Sequence, residues 1–253
     1  MSLSLRLETM ASSRRFKRPL LLVGHGFLVR NRRLATAILR LGAPNSYEAR
    51  ILLRTMLEIK INYSWIRSQQ SHSRALRFLR YGPLERLRLL ERVAPELPQA
   101  DYAAKKLHFK HERSRVRHLF RTRDSKGKLR WADSWATVNS VERRLQEVMT
   151  REQPANPDMF LYGLYILLSS AVHGSPGSLD EMFKVQADRL VTKAQPEDDP
   201  ELHLVGALLV LVWTIDAFAS DAGLKRALGT DWRELSKSVK QFASLGTVLP
   251  PPL

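Results

Sequence analysis

The chain has 253 residues, enough for one large or two small domains with a substantial core. It contains no cysteine, which excludes disulfides, thiolate metal sites and cysteine nucleophiles and suits a reducing, cytoplasmic setting. Residues 1–150 carry 32 Lys and Arg against 12 Asp and Glu, a net of +20, whereas residues 151–253 carry 9 against 13, a net of −4. An excess confined to one half points to a polyanionic partner, nucleic acid or an anionic membrane face, and is silent about fold.

In chain order, residues 1–22 read as a basic, disordered tail whose first 18 residues hold a single acid, Glu8. That composition is shared with organellar transit peptides, while Leu20, Leu21, Leu22 and Val23 are too few to form the apolar region of a secretory signal. A helix is predicted over 26–41, with Arg30, Arg32, Arg33 and Arg40 between its apolar positions, ending at Gly42-Ala43-Pro44. Asn45 and Glu48 have the spacing of a capping box for a long helix over 46–70. Through its apolar surface runs a polar stripe at i, i+4 spacing: Arg50, Arg54, Glu58 and Asn62. This is either an outer-face ion pair or an arginine placed to hold an anion or a carboxylate.

A very basic helical stretch over 74–92 is interrupted at Gly82-Pro83 and closed by Pro95 and Pro98. The densest charge follows over 105–130. Lys105, Lys106, Lys110, Arg113, Arg115, Arg117, Arg121 and Arg123 read as either a solvated helix face or a phosphate-binding surface. His108, His111 and His118 lie among these cations, which would repel a metal, so no metal site is expected there. Asp124-Ser125-Lys126-Gly127 has turn composition. A helix is predicted over 131–149, placing Trp131 and Trp135 one turn apart, as core anchors or as stacking platforms.

After Pro154 and Pro157, residues 159–174 form a largely apolar segment that, as a helix, aligns Tyr162, Tyr165, Ser169 and His173 on one face. Such hydroxyls need partners when buried. Gly174 and Pro176 would end the helix beside His173. A short helix over 179–191, an acidic linker over 196–200, an apolar helix over 202–219 and an amphipathic one over 232–245 complete the domain. The helix over 202–219 contains His203 and Asp216 and reads as a buried core helix rather than a membrane span. With no strand alternation of useful length and no solenoid repeat, the expectation is all-α: one bundle-like domain of about eight helices over 23–245, followed by a Pro-rich tail over 246–253.

The run Leu53-Arg54-Thr55-Met56-Leu57-Glu58, then Arg77-Phe78-Leu79-Arg80-Tyr81, a Trp-containing segment, and Tyr162, Tyr165, Ser169, His173 and Gly174 resembles a bacterial helical family catalogued as domain of unknown function 5677. The resemblance spans roughly residues 30–220. It implies that Arg54, Glu58, Tyr165, Ser169 and His173 belong to one site drawn from helices distant in sequence, and implies no established activity.

Three functions follow as expectations. The first is nucleic-acid association, RNA ahead of DNA, through phosphate contacts of the basic half, in a protein of bacterial defence or toxin type. The second is a metal-independent ribonuclease in which His173 is the general acid or base, Arg54 stabilises developing phosphorane charge, Tyr165 or Ser169 positions a phosphate oxygen, and Glu58 completes the set. Arg followed by four to six residues and His, the signature of one helical ribonuclease superfamily, occurs at Arg18 and His25, Arg67 and His72, and Arg113 and His118. With 29 arginines and seven histidines, chance supplies about two such spacings, and none involves His173. The third is a non-enzymatic protein-interaction scaffold. A serine hydrolase built on Ser169 or Ser170 lacks the strand-turn-helix elbow. No cofactor is expected, and a homo-oligomer is compatible with the chain.

Overall fold

The computed structural model describes residues 5, 9–10, 18–41, 46–96, 98–138, 140–149, 163–166, 168–169, 183–186, 189–192, 200–226, 228–230, 233–234 and 237. Helix α1 spans Pro19–Leu41, α2 Ser46–Ser68, α3 Ser71–Arg80, α4 Gly82–Arg92 and α5 Gln99–Arg115. A single turn, α6, covers Arg117–Phe120. Helix α7 covers Val141–Met149 and α8 covers Pro200–Asp221.

The architecture is all-α, centred on three long helices, α1, α2 and α8, each packed against the other two. Leu28 and Ile38 of α1, Leu53, Met56, Leu57 and Ile61 of α2, and Val210, Ile215 and Phe218 of α8 meet in one buried cluster. Buried positions cover more than half the circumference of α8, which accounts for much of its nearly continuous apolar sequence. Among the described residues His203–Asp221 is the one stretch apolar and long enough to cross a membrane, and in this structure it is an inner helix of the core.

Helix α1 begins at Pro19, earlier than the predicted position 26, so the tail expected over 1–22 ends before it. A proline is tolerated in a first helical turn, and Val23 continues the buried face of Phe27 and Leu28. Gly24 is required by packing. A Cβ there would stand 2.8 Å from Phe218 Cδ2 and no farther from Tyr63 Cζ, so α1 approaches both rings only because position 24 has no side chain.

Beyond the three-helix core, α3 packs on α1 and α7 on α2. Trp65 Nε1 donates to Glu147 Oε2 at 2.7 Å, fastening α2 to α7. The Arg74 guanidinium lies 3.6 Å over the Trp65 ring. The break predicted at Gly82-Pro83 falls between α3 and α4, with proline in the first turn of the latter. Helix α5 folds back on α4. A second, smaller cluster of Tyr81, Leu84, Val116 and Phe120 sits beneath this pair, with Trp131 packed against it.

Two antiparallel hairpins depart from the expectation of no strands. The helical reading of residues 105–130 fails after Phe120, where β1 (Arg121–Arg123) pairs with β2 (Leu129–Trp131) in the register Arg121↔Trp131. The turn between them is the predicted one. Asp124 Oδ1 accepts from the backbone N–H groups of Lys126 and Lys128, both at 2.9 Å, and Gly127 takes a φ of 74°. The helix predicted over 179–191 is instead a hairpin of β3 (Phe183–Gln186) and β4 (Arg189–Thr192), with Gln186↔Arg189 and Phe183↔Thr192 in register. Short apolar runs are ambiguous between the two states, and the alternation of Phe183 with Val185 is the strand period.

The helix predicted over 131–149 begins only at Val141. Residues 132–138 run as irregular backbone, and Trp131 and Trp135 therefore do not share a helix face. Ser134 Oγ accepts from Ala136 N, a local bond that competes with helix, and Ser140 Oγ accepts from Arg143 N, an N-cap that sets the start of α7. Trp135 is a core anchor, edge-on to Trp65 and Phe78. Of the segment over 159–174, residues 163–166 and 168–169 are helical as predicted; Tyr162, His173 and Gly174 lie outside the described residues. Of the helix predicted over 232–245, Arg233, Glu234 and Lys237 are described and helical.

Candidate functional site

The stripe on α2 turns inward. Arg54 Nη1 pairs with Glu58 Oε1 at 3.0 Å, and the two side chains are 13% and 31% exposed. The pair therefore exists, on the buried rather than the outer side of the helix. Arg54 Nε donates to Ser169 Oγ at 3.3 Å, and its Nη2 donates to the Tyr165 hydroxyl at 3.2 Å. Ser169 Oγ in turn donates to the Tyr165 carbonyl at 2.7 Å. Four residues read from sequence as one site, Arg54, Glu58, Tyr165 and Ser169, are thus brought together across more than 100 positions of chain. His173, the fifth, lies outside the described residues. One turn before Arg54, Arg50 Nε donates to His203 Nε2 of α8 at 3.4 Å.

A further arginine, not singled out in the sequence, stands beside this group. Arg144 of α7 is 5% exposed, donates to the Val138 carbonyl at 2.9 Å and lies 5.4 Å from the centre of the Trp135 ring. Burial lowers its pKa from the usual guanidinium range, and the nearby Glu58 and Tyr165 act in the opposite direction. The signal was readable. Arg144, Leu145 and Val148 share one helical face, so an arginine was placed among inward-facing apolar positions.

Chemically, the group is a cation held by three protein acceptors. Each of the three Arg54 nitrogens has its own partner, which is the arrangement of a satisfied buried network. The face of the guanidinium also lies 5.2 Å from the centre of the Tyr165 ring.

The predicted nucleic-acid-binding residues lie on α5, α6 and β1, with Lys105, Lys110 and Arg115 spread round α5, each about 140° from the one before. Lys105, Lys110, Arg115, Arg117 and Arg123 are exposed; Lys106, Arg113 and Arg121 are partly so. Helix α5 contributes no buried residue over its 17 positions. Two acids of this region have partners: Glu112 pairs with Arg86 at 3.0 Å and approaches His108 at 3.7 Å, and Asp124 pairs with Arg130 at 2.6 Å; Asp101, in the first turn of α5, is exposed. Among the described residues Lys105, Lys110, Arg115 and Arg117 have no carboxylate partner. Lys106 Nζ donates to the Tyr102 hydroxyl at 2.7 Å, which raises its pKa. Arg113 and Arg121 approach the Trp131 ring, their guanidinium carbons 4.7 and 5.2 Å from its centre. Among the described residues no three metal-ligating side chains converge.

Not every cation of the basic half is available to a partner. Arg74 donates to the Trp65 carbonyl, Arg77 to those of Leu119 and Trp135, and Arg88 to those of Ala132 and Asp133. These arginines are structural.

A model of a family of unknown function, DUF5677, matches residues 21–189, which include both the Arg54 network and the basic surface. No curated protein and no solved structure matches the chain.

Proposed function

The chain belongs to the DUF5677 family, and for it we propose nucleic-acid binding through phosphate contacts made by the exposed cations of α5, α6 and β1, with RNA ahead of DNA. The observation that carries this reading is the combination of a 17-residue helix with no buried side chain and four exposed cations, Lys105, Lys110, Arg115 and Arg117, that pair with no carboxylate among the described residues. Positive charge left uncompensated on an outer surface attracts phosphate backbones and releases their counterions. Trp131, with Arg113 and Arg121 beside it, adds an aromatic ring at the edge of that surface, and stacking of unpaired bases on such rings favours single-stranded RNA.

The Arg54 network supports a framework role in the same protein. Three of the five Arg54 N–H donors go to Glu58, Tyr165 and Ser169, contacts that tie α2 to the segment carrying Tyr165 and Ser169.

The test is fluorescence polarisation of one short single-stranded sequence, as RNA and as DNA, with the wild type and a Lys105→Ala, Lys110→Ala, Arg115→Ala, Arg117→Ala variant. RNA is expected to bind more tightly than DNA, and the variant to bind RNA about tenfold or more weakly. No binding at low salt, or full affinity in the variant, overturns the reading.

A further inference from the structure

A groove of about 530 Å³ lies between the C-terminal half of α1 and the early part of α2, lined on one side by the side chains of Arg32, Arg33 and Arg40. Ala37, Leu41 and Leu52 supply its apolar part, and among the described residues no carboxylate lines it. The α1 residues recur at i, i+4/5 and i+8, one face of the helix, so Arg32 and Arg40 stand about 12 Å apart along its axis. Helix α1 contains no acid. Arg33 and Arg40 are exposed and have no carboxylate partner among the described residues. The nearest acid on α2, Glu48, is one turn before Leu52 and does not line the groove.

We infer that this groove is a binding site for a nucleoside phosphate, its phosphate held by Arg33 and Arg40 and its base laid against Ala37, Leu41 and Leu52. Several guanidiniums around one opening suit the several oxygens of a phosphate better than a single carboxylate, because each fork gives parallel charge-assisted bonds. The volume falls in the range of small-molecule sites. Three aliphatic side chains cover a flat base but are too few to bury an acyl chain, and inorganic phosphate alone would leave them without a contact. Guanidinium planes also stack on bases, so the same arginines serve both parts of the ligand. The nucleotide arrives either free or as the phosphorylated end of a strand. The site is separate in sequence from the α5 surface and does not depend on it.

Calorimetric titration of the full chain uses AMP as probe, with adenosine and inorganic phosphate as its separated parts. AMP is expected to bind, each part to bind about tenfold or more weakly, and an Arg33→Ala, Arg40→Ala variant to lose about tenfold or more in AMP affinity without a change in Tm. The Lys105→Ala, Lys110→Ala, Arg115→Ala, Arg117→Ala variant keeps AMP binding. Its loss there would move the ligand to α5 and overturn the inference, whereas failure of RNA binding alone would leave it standing. Competition assigns the source. Displacement of AMP by a 5′-phosphorylated oligonucleotide but not by its 5′-hydroxyl twin makes it a strand end, and displacement by neither makes it a free nucleotide. Equal displacement by both, phosphate binding as tight as AMP, or no AMP binding overturns the inference. Photolabelling of the wild type with 8-azido-AMP, independent of any variant, places the label within residues 32–52; a label elsewhere contradicts it.

Discussion

Arg77 Nε donates to the carbonyl oxygen of Trp135 at 3.1 Å, and the same guanidinium reaches the Leu119 carbonyl. Irregular backbone over 132–138 has no ladder to pair its carbonyls. Arginines substitute for one: Arg88 at Ala132 and Asp133, Arg77 at Trp135, and Arg144 at Val138. Burial lowers the Arg77 pKa, a sign of the desolvation these contacts must offset. Arg77→Ala is expected to cost about 2–4 kcal/mol in chemical denaturation, since it strands two carbonyls. Arg80→Ala, at an exposed position on the same helix, should stay within about 0.5 kcal/mol of wild type.

Gly24 and Gly26 predict opposite effects of the same substitution. Gly24→Ala drives a Cβ into Tyr63 and Phe218 and should destabilise by about 1–3 kcal/mol. Around Gly26 a Cβ meets nothing within 4 Å, so Gly26→Ala should stabilise α1 by about 0.5–1 kcal/mol. Thermal melts of the two variants side by side check both signs.

Tyr63 Oη donates to Asp221 Oδ2 at 2.7 Å, and Arg67 Nε donates to the same oxygen at 2.7 Å. Burial, followed by the Asp221 charge and its hydrogen bond, raises the Tyr63 phenol well above its ordinary 10.0. The folded state then keeps a proton that the unfolded chain releases as pH passes about 10, so this contribution is present below that value and falls as pH rises above it. Denaturation curves between pH 10 and 11.5 should show wild type losing stability more steeply than Tyr63→Phe, by up to about 1.4 kcal/mol per pH unit. Equal slopes would contradict the assignment.

Within the Arg54 network, Arg54→Ala should cost about 2–4 kcal/mol, and Tyr165→Phe and Ser169→Ala about 1 kcal/mol each. Arg54→Ala combined with Tyr165→Phe should cost less than the sum by about 1 kcal/mol, because both remove one contact. RNA affinity of the folded Tyr165→Phe and Ser169→Ala variants should match wild type. RNA cleavage by wild type that these variants lack would return the network to catalysis.

The sequence disclosed what periodicity and turn chemistry encode. The α2 and α8 patterns, the break at Gly82-Pro83 and the Asp124 turn are local, and the structure has each of them. The grouping of Arg54 and Glu58 with Tyr165 and Ser169 was legible through family resemblance, because no local signal joins residues that far apart. The functions of individual arginines were not legible. Arg77, Arg88 and Arg144 bind backbone, whereas Arg115 and Arg117 face solvent, and composition counts them alike. Residues 131–138 were misread because Trp131 and Trp135 at helical spacing outweighed the serines that take up the local backbone bonds. The hairpin at 183–192 was not legible because each four-residue strand has only two apolar residues, too few to fix a period.

Phosphate binding by the exposed cations of α5 and α6 would show itself in the salt dependence of single-stranded RNA binding. A plot of log affinity against log salt should fall linearly for wild type. For the Lys105→Ala, Lys110→Ala, Arg115→Ala, Arg117→Ala variant the slope should be shallower by up to about 2.8, roughly 0.7 per lost phosphate contact. An unchanged slope and affinity in a folded variant would contradict the account.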